Sequence, residues 1–312
     1  MSEPVIVLAW LVLAHLAADF VLQTEWMATE KFKHSRRARV ALSAHVAVVG
    51  LCLVPFVLAY GVPGAGLLGV VTLGHWVIDR TKIRITRAVE ARALREAGLQ
   101  PEPSPELHGS PQAAGGTPAE PSLQPEASAP DQMDRTWTAM PAFLFVADQG
   151  AHLALMAAAW WALLARAPVS DGWSSAVSGL GGADLAAFHR VVLTAVVGAA
   201  LLIVNTKAGS LFVVTLVRPR ATVTGQDGAA GPRRGPPPEK VGQAVGVLER
   251  LLVVIFVLLQ AEAAIGLVVA AKTVARFKQL DDREFAEYYL LGTLASISVA
   301  IFSGLLALAA LS

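Results

Sequence analysis

Long apolar runs alternate with polar stretches along the whole chain, and this pattern predicts membrane spans. A helix needs about 20 mostly apolar residues to cross a bilayer. Seven runs meet this requirement, and they cover residues 4–23, 40–60, 64–85, 139–165, 189–217, 243–271 and 287–311. We therefore expect an all-α fold, a polytopic transmembrane helix bundle of about seven spans.

Two polar stretches interrupt this alternation. Residues 98–138 and 219–241 are rich in Pro, Gly, Ala and polar residues, a composition that cannot bury a core and is typical of disordered linkers. They divide the membrane domain into three parts. These are 1–97, with three spans and a basic helical extension, 139–218, with spans four and five, and 242–312, with spans six and seven.

Composition supports membrane integration and excludes other classes. Charged residues make up 16% of the chain, whereas soluble domains carry roughly 25%. The net charge is +1 and the basic residues lie in the loops, so we expect the lipid bilayer and no nucleic acid as a partner. The single cysteine, Cys52, lies in an apolar run, which excludes a disulfide framework and a cysteine metal motif.

Basic residues are concentrated in the first, third and fifth loops, for example Lys31 and Arg36 in the first and Arg233 in the fifth. The positive-inside rule places such loops in the cytoplasm. In a bacterial inner membrane, the N-terminus would then lie outside, and the linkers and the C-terminus would lie in the cytoplasm. The sixth loop also carries basic residues, which acids balance, and an interfacial helix is the alternative there.

Each aspartate inside an apolar run has a histidine four residues away, one turn along the same helix face. The pairs are His15/Asp19, His75/Asp79 and Asp148/His152, and His45 lies alone in the second span. The order within the pair reverses in the fourth span, and so does the direction of that span. We therefore expect all three aspartates near the cytoplasmic side and the paired histidines one turn deeper.

Ionisable side chains inside a membrane segment cost free energy and usually mark function. Imidazole nitrogens and carboxylate oxygens bind divalent ions such as zinc and manganese, so we predict a divalent-metal centre. The predicted ligands are His15, Asp19, His45, His75, Asp79, Asp148 and His152. The three aspartates are also the predicted catalytic groups, since a carboxylate can serve as the general base.

A metal centre that faces the cytoplasm suits hydrolysis of a lipid-like or phosphoester substrate, because a bound metal ion activates water. Other polar residues are expected to orient the ligands or to contact a small anionic substrate. They are Gln23, Lys82, Lys207, Glu249 and Arg250. We expect Lys82 to hold an anionic headgroup and Lys207 to pair with an acid such as Glu249.

Two other functions stay open. An ion- or proton-coupled transporter would use the same carboxylates, with Gln260 and Glu262 continuing the path in the outer half of the sixth span. A non-enzymatic scaffold would use the polar residues as interhelical hydrogen bonds. The sequence contains no nucleotide-binding loop, no His-Glu-x-x-His and no Gly-x-Ser-x-Gly motif, so neither an ATP-driven pump nor a serine hydrolase is indicated.

Several parts of this sequence resemble a bacterial membrane-protein family known as domain of unknown function 3307. The similar stretches are residues 14–23, His45, residues 74–82 and the tail from 248 to 293. The resemblance singles out His15, Asp19, Gln23, His45, His75, Asp79 and Lys82. It implies a membrane location and helical architecture, and a looser similarity to membrane-bound metal-dependent hydrolases implies the metal chemistry.

Overall fold

The structure, a computed structural model, describes residues 3–33, 35–96, 139–182, 184–217 and 238–312. Every regular element in these ranges is helical, which confirms the all-α prediction. The α-helices are α1 (Glu3–Leu16), α2 (Glu25–Glu30), α3 (Arg36–Cys52), α4 (Val54–Tyr60), α5 (Val62–Glu96), α6 (Met140–Ala159), α7 (Asp171–Gly181), α8 (Leu185–Ile203), α9 (Gly209–Val217), α10 (Pro238–Leu258), α11 (Glu262–Arg276) and α12 (Arg283–Leu311). The predicted linkers lie outside the described ranges, except that residues 238–241 begin α10.

Within the described residues, seven helical segments are long and apolar enough to cross a membrane, as predicted. They are Pro4–Val21, Arg36–Tyr60, Val62–Val89, Met140–Leu164, Leu185–Val217, Val241–Leu258 and Phe285–Leu311. The second span consists of α3 and α4, which meet at Leu53, because Pro55 lacks the N–H that would continue the hydrogen-bond ladder of α3. Beyond the third span, α5 runs on to Glu96, so the basic extension is helical.

Three spans contain a π-helical turn, a feature that often occurs at functional sites. The turns are Ala17–Val21 in the first span, Trp160–Leu164 in the fourth and Val204–Ala208 in the fifth. The first turn carries Asp19 and the third carries Asn205. These two turns contact each other, so the polar regions of the first and fifth spans are adjacent.

The sixth span is shorter than predicted, and a single helix over 243–271 is wrong. Helix α10 ends at Leu258, and Gln260 has a positive φ of 55° at the turn that follows. Helix α11 then folds back along α10, where Lys272 Nζ lies 2.5 Å from Glu249 Oε2. Hydropathy missed this turn because leucine and alanine surround it.

The direction of the seventh span also corrects the sequence prediction. Arg250 of α10 donates a hydrogen bond to Ser296 of α12, and further along Val257 packs on Gly304. Helices α10 and α12 are therefore parallel, which the return segment α11 makes necessary. The end of α12 packs near Leu193 and the start of α1, so the two ends of the chain lie at the same face of the bundle. The prediction that they lie on opposite faces is wrong.

The first four spans share one apolar core. Leu11, Leu53, Leu67 and Met156, one from each span, are buried against one another. Burying apolar side chains between these helices fixes their rotation. The residues one or two turns further along the same faces are therefore forced together, and those residues are the histidines and aspartates.

Candidate metal centre

Seven ionisable side chains from the first four spans converge in one buried cluster. Each of its four histidines is less than 5% exposed, and His45 is completely buried. The members are His15 and Asp19 from the first span, His45 from α3, His75 and Asp79 from α5, and Asp148 and His152 from α6. We call this set the His/Asp centre.

Asp19 is the focus of the His/Asp centre. Its Oδ1 lies 3.5 Å from His45 Nε2, 3.6 Å from His75 Nε2 and 3.8 Å from His15 Nδ1. This oxygen is buried and forms no hydrogen bond with any described residue. This carboxylate oxygen, buried among three imidazole nitrogens, can therefore bind a cation or accept a hydrogen bond.

The spacing of these atoms fits a small metal ion. A tetrahedral ion with ligands at about 2.0–2.1 Å separates its ligand atoms by roughly 3.3–3.4 Å. His45 Nε2 and His75 Nε2 are 3.0 Å apart, and each lies 3.5 or 3.6 Å from Asp19 Oδ1. Three corners of such a site are thus in place, and His15 belongs to a neighbouring group of donors with Asp19 and His152.

The centre offers more than one such triplet. In three groups of residues, one ligand atom from each member lies within 4.8 Å of the others. The groups are His15, Asp19 and His152, then Asp19, His45 and His75, and finally His75, Asp79 and His152. Because Asp19, His75 and His152 are shared, one ion or two neighbouring ions fit the donor set.

Two lysines neutralise the other two carboxylates. Lys31 Nζ lies 3.0 Å from Asp79 Oδ2, and Lys82 Nζ lies 2.7 Å from Asp148 Oδ2. Lys31 is only 7% exposed. With neutral imidazoles, three carboxylates and two ammonium groups leave one net negative charge, and Asp19 is the acid without a lysine.

Neighbouring groups hold the imidazoles in place. Gln149 Oε1 lies 3.2 Å from His15 Nε2, and its amide nitrogen donates to Asp148 Oδ2 at 3.1 Å. His152 Nδ1 donates to the backbone oxygen of Asp148 at 2.8 Å. The remaining nitrogen, His152 Nε2, is buried and has no hydrogen-bond partner in the described part of the chain. Its lone pair is therefore free to bind a ligand.

A small cavity borders the histidines on the side away from the lysines. Its volume is about 10 Å³, and its lining combines His15, His75 and His152 with apolar residues such as Val49 and Leu53. This is about the volume that one water molecule requires.

The segment from Gln23 to Lys33, which contains α2, closes the His/Asp centre on the side where Lys31 and Lys82 lie. With its amide oriented to satisfy both neighbours, Gln23 donates to the Asp19 backbone oxygen and accepts from Lys31 Nζ. Arg87 of α5 donates to the backbone oxygens of Phe32 and Lys33, at 3.2 and 2.7 Å. The loop that carries Lys31 is thereby fastened to the third span.

A family model for part of this chain supports the resemblance read from its motifs. Residues 7–98 match the protein family of unknown function DUF3307. The predicted family resemblance is thus confirmed over this segment. Searches of curated proteins and of solved structures gave no significant match.

The segment that matches the family model contains five of the seven members of the His/Asp centre, together with Gln23, Lys31 and Lys82. Asp148 and His152, from α6, lie outside the matched residues. The centre is therefore completed by a span that the family model does not cover.

Three predicted residues lie away from the centre. Lys207 is exposed, and Glu249 pairs with Lys272, so the expected pair between Lys207 and Glu249 is wrong. The pairing fails because α11 folds back along α10 and brings Lys272 to Glu249. Arg250 is buried in a separate cluster with Asn205, Ser210 and Ser296.

Sequence reasoning overlooked Lys31 and Gln149. Lys31 entered the prediction only as a loop charge, because it lies between two apolar runs and nothing local shows that its loop turns inward. Gln149 carried a usable signal, since it follows Asp148 directly inside an apolar run. A polar amide at that depth needs partners, and those partners are His15 and Asp148.

Proposed function

We propose that this chain is a multi-pass membrane protein that holds a divalent metal ion, zinc or manganese, in the His/Asp centre and hydrolyses a lipid-like or phosphoester substrate there. The observation that carries the proposal is the environment of Asp19 Oδ1. This oxygen is buried, it forms no hydrogen bond with the residues described, and three imidazole nitrogens lie within 3.8 Å of it.

The charge of the centre favours a cation. Lys31 and Lys82 each form an ion pair with one carboxylate, so the surplus negative charge resides on Asp19. An uncompensated carboxylate inside a membrane bundle is costly, and a divalent ion would offset that cost. Imidazole nitrogens would complete its coordination, as they commonly do for zinc and manganese.

The hydrogen-bond pattern argues against a purely structural role. Polar side chains that only join helices satisfy one another. Here Asp19 Oδ1, Asp148 Oδ1 and His152 Nε2 are buried without partners among the residues placed by the structure. Unused acceptors that point into one cluster are the expected arrangement of a ligand site.

The remaining groups support hydrolysis. A divalent ion, when bound, supplies Lewis acidity that makes water a better nucleophile near neutral pH. Asp148 Oδ1 has no hydrogen-bond partner among the described groups, while Lys82 holds the other oxygen of that carboxylate. In this proposal the free oxygen accepts the proton of the attacking water. Lys82 is 27% exposed and faces the rim of the site, where an ammonium group can attract an anionic ester.

The decisive experiment measures metal content and turnover in the same purified protein. Elemental analysis of the full chain in detergent should find roughly one or two zinc or manganese ions per molecule. His45→Ala should lose them, while His189→Ala, a change in α8 outside the centre, should retain them. The metal-loaded protein should hydrolyse bis(4-nitrophenyl) phosphate or a phospholipid in mixed micelles, and Asp148→Asn should abolish that turnover.

Two results would contradict the proposal. If the stripped wild-type protein binds zinc and manganese no better than His45→Ala, there is no metal centre. If it binds metal but cleaves neither ester, and instead carries the ion across proteoliposome membranes, the centre serves transport and the hydrolytic assignment is wrong.

A further inference from the structure

A second buried charge lies in the other half of the bundle. The side chain of Arg250 is 3% exposed, in the middle of the sixth span. Its Nε donates to the backbone oxygen of Asn205 at 2.7 Å, Nη1 donates to Ser296 Oγ at 3.2 Å and Nη2 donates to Ser210 Oγ at 2.5 Å. All three acceptors are neutral.

No carboxylate of the described residues forms an ion pair with Arg250. Its neighbour Glu249 is engaged by Lys272, whose ammonium lies 2.5 Å from the Glu249 carboxylate. Arg250, Lys272 and Glu249 together therefore carry one net positive charge. A guanidinium buried in a membrane span is normally paired, because its desolvation is costly.

The π-helical turn Val204–Ala208 helps to build this site. It frees the Asn205 backbone oxygen, which then accepts from Arg250 Nε. Glycines flank the guanidinium, since a Cβ on Gly209 would lie 3.2 Å from Nε and one on Gly246 would lie 3.6 Å from Nη1. A Cβ on Gly209 would therefore crowd the arginine, whereas one on Gly246 would make an ordinary contact with it.

Unused hydrogen-bond donors lie on Arg250 itself and on α12, one and two turns before the residue that contacts it, Ser296. A guanidinium has five N–H groups, and the three bonds above leave one on each terminal nitrogen. On α12, Tyr289 precedes Thr293 by four residues and Thr293 precedes Ser296 by three. The three side chains therefore lie on one helix face. The Tyr289 hydroxyl and Thr293 Oγ1 are both buried, and neither finds a hydrogen-bond partner in the described residues.

We propose that Arg250, Thr293 and Tyr289 form a binding site for one oxyanion group, a carboxylate or a phosphate, between α9, α10 and α12. Two parallel N–H groups match two oxygens of such an anion, and the hydroxyls donate to its remaining oxygens. The anion would supply the missing negative charge. The group can belong to a lipid headgroup or to a soluble anion.

The test uses the purified full chain and measures its thermal unfolding with two probes. Sodium phosphate is titrated against sodium chloride at equal ionic strength in a non-ionic detergent. In parallel, nanodiscs of phosphatidylcholine are compared with nanodiscs that also contain phosphatidylglycerol. Stabilisation by phosphate indicates a soluble anion, and stabilisation only by phosphatidylglycerol indicates a lipid headgroup.

Variants decide whether the stabilisation arises at this site. Thr293→Val should raise the anion concentration needed for half-maximal stabilisation about tenfold or more. Arg250→Gln should abolish the stabilisation. Arg283→Gln, an exposed arginine at the start of α12, is the matched control and should respond like the wild type.

The proposal is overturned if neither probe stabilises the wild type, or if Thr293→Val and Arg250→Gln keep the full response. Thr293→Val also covers the case in which Arg250→Gln fails to fold, because valine is nearly isosteric with threonine. Asp19→Asn should leave the anion response unchanged, so failure of the metal centre would not remove this site.

Discussion

The two halves of the bundle bury charge in opposite ways. In the His/Asp centre, lysines neutralise two of three carboxylates and leave Asp19 as the surplus negative charge. Around Arg250, a lysine occupies the neighbouring acid and leaves the guanidinium as the surplus positive charge. Each surplus charge lies at or beside a π-helical turn, and those two turns are in contact.

Paired and surplus charges in membrane helices therefore have different explanations. A paired charge such as Lys31–Asp79 can be explained by stability alone. A surplus charge surrounded by unused donors or acceptors favours a counter-charge, either a proton or a ligand of the opposite sign, because the bilayer cannot solvate it. Under the two proposals above, the sign of the surplus separates the cation site from the anion site.

The largest effect is expected from Lys31→Met, which leaves the Asp79 carboxylate buried without its ammonium partner. Breaking a buried ion pair on one side costs about 3–5 kcal/mol. We expect metal-free protein in detergent to lose stability by that amount in chemical unfolding monitored by tryptophan fluorescence. Adding Asp79→Asn should restore a large part of it, since the stranded charge is then gone.

Lys33→Met is the matched control for this prediction. Lys33 lies two residues away and its pair with Glu30 is exposed on the lysine side. Exposed pairs are worth about 0–1 kcal/mol. Equal losses from the two lysine variants would mean that Lys31 is not a buried partner of Asp79, and the charge count of the His/Asp centre would no longer hold.

The next effect is expected from Asp19→Asn on metal affinity. Groups that merely orient metal ligands change affinity about 10–100-fold, so loss of the carboxylate ligand should cost more than about 100-fold. Asp148→Asn, in which Lys82 loses its partner, should cost less. Isothermal titration of zinc into stripped protein measures both, and an Asp19→Asn protein with wild-type affinity would exclude Asp19 as a ligand.

Sequence periodicity was sufficient for most of the fold. Seven spans follow from apolar runs, and the His–Asp pairs follow from four-residue spacing on a helix. The turn at Gln260 did not follow, because a tight turn between apolar residues leaves no hydropathy signal. That missed turn also reversed the predicted direction of α12 and hence the side on which the chain ends.

The sequence predicted only part of the candidate site, because only residues inside apolar runs give a local signal. His15, Asp19 and His75 stand out because ionisable groups are rare in apolar runs. Lys31 does not, because a lysine in a polar loop is ordinary, and only the packing of α2 and the bonds from Arg87 turn it inward. Contacts between a loop and a span depend on tertiary structure, which local spacing does not encode.

A smaller effect is expected from Arg250→Met in buffer without phosphate. The guanidinium has no carboxylate partner among the described residues, so its removal strands no charge. Each of the three acceptors left unsatisfied costs about 1–3 kcal/mol, and removal of the buried charge relieves a desolvation penalty of several kcal/mol, which offsets most of that cost. We expect a net loss well below that of Lys31→Met in the same unfolding assay. A larger loss would mean that the guanidinium stabilises the bundle without any ligand.

The smallest effect concerns Glu30, a charge at the rim and outside the spans. The hydrogen bond from Lys33 lowers the pKa of Glu30, with a further hydrogen bond from Ser35. A carboxyl whose pKa is lower in the folded state stabilises the fold above its unfolded pKa, and this contribution is lost as the pH falls through the lower folded value. Wild type and Glu30→Gln should therefore differ most above about pH 5 and converge below it. Thermal unfolding between pH 3 and 7 measures the difference, and parallel curves for the two proteins would show that charge at this rim, unlike charge inside the bundle, has no bearing on stability.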